Sequence, residues 1–406
     1  MPPPWIRQHC HGDNSAHHVV TLFPMKIETK AVHAGHLKES SRDVTSAIHL
    51  STTFEKAADG SLPGGHLYAR PSNPNRDALE HALATIEDGA AALAFSAGSA
   101  ATLAVLHSLA PGDHVIAGSD VFYGTLTLLK NLMSNWGLTF SLVNMQDLSA
   151  LEKAITGQTR LLWVETPSNP LLSVSDIGAI IAIAQKFNFQ KFNLKTRNIL
   201  VACDNTVATS MHQRPLQLGA DITMHSVTKY ISGHSDVLGG ALIFREAGAL
   251  FEKIQTIQRE GGSVPSPFEA WLTLRGMQTF PYRMRAHSEN AQRVAEFLSK
   301  HAKVEAVHYP GLPSHPGHKI AAKQMSAFGG LLSIQVKGGQ ADAFKVCAAV
   351  KVFTHATSLG GTHSFIEHRK SVEGVNSRSP ENLLRLSVGL EHPDDLIEDL
   401  EQALKF

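Results

Sequence analysis

The segment HSVTKYISGHSDVLGG (225–240) holds the residue types best able to do chemistry in this chain. Lys229 follows a strand-like run, with hydroxyls at Ser226 and Thr228 before it and Gly233, Gly239 and Gly240 after it. A lone lysine is ordinarily a solvated surface charge. Here two hydroxyls on a turn after a strand are placed to bond a phosphate, and the neighbouring amine can form a Schiff base with an aldehyde cofactor. Asp204 lies 25 residues upstream, at the end of an apolar strand-like run. A carboxylate buried at a strand end is costly unless it meets a cation. A protonated pyridine nitrogen would be such a cation, and the pairing would make its ring an electron sink. The third element is Ser96-Ala97-Gly98-Ser99, at a strand-to-helix junction. Backbone N–H groups and the helix dipole favour a phosphate there. No G-x-G-x-x-G dinucleotide fingerprint occurs.

These groups need a scaffold, and the chain alternates in a way that supplies one. Apolar runs at 91–95, 114–118, 139–143, 160–165, 199–204, 221–226 and 239–244 read as strands, with helical stretches between several of them. Strands that are apolar throughout and separated by helices predict an α/β fold, with a mostly parallel sheet covered on both faces. Ligands of such sheets bind beyond the carboxyl ends of the strands. After about Thr279 the pattern changes to a long helix from Arg283 to roughly His301, strands at 304–309, 329–336 and 383–388, a helix near 340–350 and a last helix from about Pro393. This predicts a smaller α+β unit. The expected division is a loose tail over 1–25, an extended arm over 26–75, a large domain over 76–279 and a C-terminal domain over 280–406. The near-duplication at 186–198 reads as a helix end or loop insertion.

Composition excludes other classes. Of 406 residues, 43% are hydrophobic and 18% charged, enough to bury a sizeable core. Lys+Arg and Asp+Glu both total 36, so the basic excess of a nucleic-acid binder is missing. No apolar run approaches membrane-spanning length. The first 24 residues lack the pattern of a secretory signal, and their five histidines fit no zinc spacing, so no metal site is expected. Cys10, Cys203 and Cys347 lie far apart, which suits a reducing, cytoplasmic compartment.

The segments LYARPSNPNRDALE (67–80), AFSAGSAA (94–101), VETPSNP (164–170), DNT (204–206), HSVTKYISGHSDVLGG (225–240), TSLGG (357–361) and RLSVGLEH (385–392) together resemble the cystathionine γ-synthase, cystathionine γ-lyase and O-acylhomoserine sulfhydrylase family of pyridoxal-phosphate enzymes, from about Thr29 to the C-terminus. The resemblance implies a fold-type I transferase with pyridoxal 5'-phosphate held on Lys229, which would also shuttle protons between substrate carbons. It implies that Asp204 pairs with the pyridinium nitrogen, that Ser226, Thr228, Gly98 and Ser99 hold the phosphate, and that Asn169 and Thr206 line the ring. Tyr68 and Arg70 match residues that the family donates across a dimer interface, implying a homotetramer built from dimers that share active sites. Arg385 would clamp the substrate α-carboxylate, with Ser358 and Leu359 near it.

Two departures bear on the reaction. Relatives carry a tyrosine 24 residues after the phosphate-loop glycine, stacked on the cofactor; here Phe122 stands there, unless a slip of one residue brings Tyr123 inward. Phenylalanine stacks but transfers no proton, which counts against a plain lyase. His363 stands where many relatives have Glu, which disfavours a nucleophile bearing an ammonium group. The expected reaction is γ-replacement on an O-acylhomoserine. The second, nucleophilic substrate is a thiol or a carbon nucleophile of the kind some relatives use in secondary metabolism. The alternative is elimination, as in a cystathionine γ- or β-lyase. A non-catalytic binding protein is the reading from another class, and Lys229 with Asp204 argues against it.

Overall fold

The structure is a computed structural model that describes residues 25–36, 43–189, 198–374 and 377–405. The histidine-rich tail up to Pro24 and most of the 186–198 duplication lie outside the described residues. Seven strands form one sheet: β1 (Ala91–Phe95), β2 (His114–Gly118), β3 (Thr139–Val143), β4 (Thr159–Glu165), β5 (Leu200–Asp204), β6 (Ile222–Ser226) and β7 (Gly240–Phe244). Their order is β1-β7-β6-β5-β4-β2-β3, and only β7 runs antiparallel to its neighbours.

Alternation along each strand explains why these runs are apolar throughout. Leu161 and Trp163 pack on one face with Phe95, Leu242 and the helix Gly98–His107, while Leu162 and Val164 pack on the other with Val201, Cys203 and the helix Ile177–Phe189. The period of two then puts Glu165 and Asp204, the last residues of neighbouring strands and register partners, on the Trp163 face. Both carboxylates are thereby aimed at the carboxyl edge of the sheet, beside the start of the helix Gly98–His107.

The second sheet contains β8 (Val304–His308), β9 (Leu331–Val336), β10 (Thr354–His355), β11 (Phe365–His368) and β12 (Leu383–Ser387), in the order β10-β11-β12-β9-β8. It is antiparallel except for the β10–β11 pair. The helices Phe280–Leu298 and Pro393–Ala403 cover it through Val294, Leu298, Leu396 and Leu400. The long helix begins at Phe280 and ends at Leu298, short of the expected His301, because Pro281 fits the first turn of a helix. The segment read as an arm opens with the short helix Ile27–His33. It otherwise runs irregularly, with one bridge between Thr53 and Tyr68.

Candidate active site

A cavity of about 330 Å³ opens at the carboxyl ends of the parallel strands. Gly98 and Ser99 line it from the start of their helix, Glu165, Asp204 and Ser226 from three strand ends, and Thr206, Thr228 and Lys229 from the loops that follow β5 and β6. Asn169, Phe122 and Leu359 close its remaining walls. Ten of the residues singled out from the sequence thus converge on one cavity, although they span 262 positions of chain (359 − 98 + 1).

Lys229 follows β6 on a turn in which its own N–H donates to Ser226 O at 3.2 Å. Its Nζ donates to Ser358 Oγ at 2.9 Å. Burial, then the nearby charge of Arg385, lowers the amine to about 8, so a substantial fraction is neutral and nucleophilic at neutral pH. The loop carrying Ser358 sits tight against Lys229. Gly360 has φ +78°, and a Cβ there would lie 2.7 Å from Tyr230 N. Ser358 itself has φ +87°, a sparsely populated conformation for a side-chain-bearing residue and one often found at sites.

Asp204 Oδ1 accepts the Thr206 N–H at 3.0 Å, and Thr206 Oγ1 accepts the Ser226 N–H at 2.8 Å, so Thr206 ties the ends of β5 and β6 together. Burial raises the Asp204 carboxyl, opposed by the Thr206 bonds and by His225 behind it. Asp204 forms no ion pair among the described residues. At the far end of the cavity, a Cβ on Gly98 would come within 3.0 Å of Ser226 Oγ, so only glycine leaves this hydroxyl and the helix N–H groups facing one space. These features fit pyridoxal 5'-phosphate: a neutral amine for its aldehyde, a cation-seeking carboxylate for its ring nitrogen, and a hydroxyl-and-amide cradle for its phosphate. Thr228 Oγ1 is engaged with the backbone of Gly239, accepting its N–H at 3.0 Å, so it shares its hydroxyl between the turn and the cradle.

Other expected residues lie around the cavity rather than in its lining. Arg385, on β12, is 4% exposed; it donates to Ser358 O at 2.8 Å and to Asn169 Oδ1 at 3.2 Å, and pairs with Glu367 at 2.8 Å. Burial lowers its guanidinium to about 10, which leaves it charged. Phe122 lines the cavity and Tyr123 does not; both are exposed, at 41% and 40%. His363 is exposed and 3.2 Å from Thr362 Oγ1, apart from the cavity lining. Tyr68 is also exposed, and Arg70 donates to Arg259 O at 2.6 Å, again outside the lining.

Two acidic residues were not assigned from the sequence. Glu165 ends an apolar strand just as Asp204 does, and the reasoning applied to Asp204 would have found it. Glu367 sits on β11, a strand of four residues too short to show periodicity, and it bridges Arg385 and Arg369 at 2.8 Å each.

A carboxyl-edge cavity with an active amine, an acidic partner for a ring nitrogen and a phosphate cradle defines a pyridoxal-phosphate enzyme of the mostly parallel α/β type. The chain belongs to the Cys/Met metabolism PLP-dependent enzyme family, whose model matches residues 28–405. It is 46% identical over 399 residues to cystathionine gamma-synthase of Mycobacterium leprae, covering 97% of this chain and 99% of that one. It is 40% identical over 388 residues to cystathionine beta-lyase of Coxiella burnetii, covering 93% and 97%. The crystal structure of metB from Corynebacterium glutamicum is similar with a TM-score of 0.88 and 38% identity, covering 94% of this chain and 98% of that one. Enzymes of this family use pyridoxal 5'-phosphate to carry out γ-substitution or elimination on small amino-acid substrates. Among the described residues no helix is long and apolar enough to cross a membrane.

Proposed function

We propose that this enzyme replaces the γ-substituent of an O-acylated homoserine with a nucleophile. The observation that carries this reading is the hydroxyl-free ring of Phe122 on the cavity wall, with Tyr123 outside the lining. A carboxylate leaving group departs without a proton, whereas a thiolate leaving group benefits from an acid that Phe122 cannot provide. Bound pyridoxal phosphate would supply the electron sink for the pair left on the substrate carbon after deprotonation. Lys229, with its amine near 8, is suited both to take that proton and to return it. Arg385 would hold the α-carboxylate, with Ser358 and Leu359 beside it. Asp204 would keep the ring nitrogen protonated, Asn169 and Thr206 would border the ring, and Ser226, Thr228, Gly98 and Ser99 would hold the phosphate.

We further assign the second substrate as a thiol or a carbon nucleophile without a nearby ammonium group, on the ground that an imidazole stands at His363. The assembly we propose is a homotetramer of dimers in which Tyr68 and Arg70 reach the partner's phosphate, a role consistent with their exposure in an irregular segment. Elimination is the second reading, and the 40% identity to the Coxiella burnetii lyase supports it. Incubation with O-acetyl-L-homoserine and a panel of thiols, sulfide and carbon acids, with products identified by mass, tests the proposal. A γ-substituted amino acid should form; release of only a keto acid and ammonia would favour elimination.

A further inference from the structure

We propose that Glu165 is a positioning residue that holds the Phe122 wall in register with the carboxylate clamp at Arg385; this rests on the roles proposed above for those two residues. Glu165 is 8% exposed, and each of its oxygens serves a different wall. Oε2 accepts the Phe122 N–H at 2.7 Å, and Oε1 accepts the Asn169 N–H at 2.9 Å. Asn169 Oδ1 then accepts from Arg385 at 3.2 Å, Arg385 donates to Ser358 O at 2.8 Å, and Ser358 Oγ accepts from Lys229 at 2.9 Å. One chain of hydrogen bonds therefore runs from the hydroxyl-free ring through Glu165 to the guanidinium and the amine. Phe122 sits just before the short helix Tyr123–Thr127, and no side-chain cap fixes that helix start. The Glu165 bond is what anchors it.

The carboxyl is an expensive choice for this place. Burial, and next the charge of its register partner Asp204, push it well above the usual carboxylate range. A pair of turn N–H groups alone could be met by a backbone carbonyl or a hydroxyl at lower cost. Two diverging donors on two different walls require two acceptor oxygens on one rigid group, which a carboxyl supplies and an amide does not.

Glu165→Gln keeps the shape but offers an N–H to one of the two donors. In the holoenzyme, hydrogen exchange followed by mass spectrometry should show slow exchange for segments 119–128 and 163–172. In Glu165→Gln at least one of them should exchange roughly tenfold faster or more, with β1 and β7 unchanged, as expected for a lost buried hydrogen bond. KM for O-acetyl-L-homoserine should rise about tenfold while kcat changes less than about threefold, because the clamp is displaced and the amine is not. Asn169→Ser, which cuts the link to Arg385 but keeps the backbone N–H on Glu165, should raise KM without speeding exchange in 119–128. Native exchange in both segments, or an unaltered KM beside faster exchange, would overturn the proposal. If Glu165→Gln does not fold, fast exchange of either segment in the native holoenzyme does so. If native protein fails to turn over O-acetyl-L-homoserine, the exchange result alone decides the role of Glu165, and only the substrate reading falls.

Discussion

At the carboxyl edge of the seven-stranded sheet, the site residues bond to one another. In the irregular segment before the helix Pro74–Glu87, they do not. Asp204, Thr206 and Ser226 are linked through two bonds of 3.0 and 2.8 Å, and Lys229 reaches Ser358 at 2.9 Å. Tyr68 is 47% exposed, and Arg70 is held by the Arg259 carbonyl rather than by anything in the cavity. The difference shows which parts of a site a single chain can finish. Strand register and alternation fix the first group without outside help, because a shift of one residue would turn Asp204 and Glu165 to the opposite face. The second group has no comparable constraint, and we assign its task to a neighbouring subunit.

The sharpest way to break the strand-end half is Lys229→Ala. Turnover should fall by about 10⁴-fold or more, because the proposed mechanism provides no other amine for the cofactor. Visible absorbance of the bound cofactor should shift, with far-ultraviolet circular dichroism unchanged. Appreciable residual turnover would show that another group does the work.

A second test uses the environment that burial creates. Because the folded amine lies near 8 rather than the ordinary 10.5, its neutral fraction rises as pH rises to about 8 and then levels off. After cofactor removal, competitive acylation read by mass spectrometry should show Lys229 gaining reactivity about tenfold per pH unit below 8 and little above it. Surface lysines should keep gaining beyond pH 9. Identical profiles would contradict the assigned environment.

The smallest effect sharpens the other half of the comparison. Neither Arg70→Ala nor Lys229→Ala chains alone should be active. A mixture with verified subunit exchange should recover about a quarter of native activity, since half the dimers are mixed and each has one intact site. Absence of any recovery would leave Arg70 a surface residue.

The contrast also marks what the sequence made legible. The runs at 91–95, 114–118 and 139–143 coincide with β1, β2 and β3, because continuous apolar stretches between turn signals leave little choice in a two-faced sheet. Asp204 and Lys229 were readable because each breaks an apolar context in a way that is costly without a ligand. Glu165 carried the same mark, but its two backbone donors come from positions 43 residues before and 4 after it, a geometry no local pattern displays. β10 and β11 escaped because two and four residues show no period. The helix Ile27–His33 was missed because only Ala31 within it is buried, so it presents no apolar stripe.

The account turns on a wall without a proton donor, and one comparison on a single preparation tests it. Rates should be measured for O-acetyl-L-homoserine with a thiol and for L-cystathionine alone, in the native protein and in Phe122→Tyr. The native protein should turn over the ester at least about 100-fold faster than it cleaves cystathionine, and Phe122→Tyr should raise cleavage about 10–100-fold while changing replacement far less. Cleavage of cystathionine by the native protein at a rate comparable to ester turnover would contradict the account.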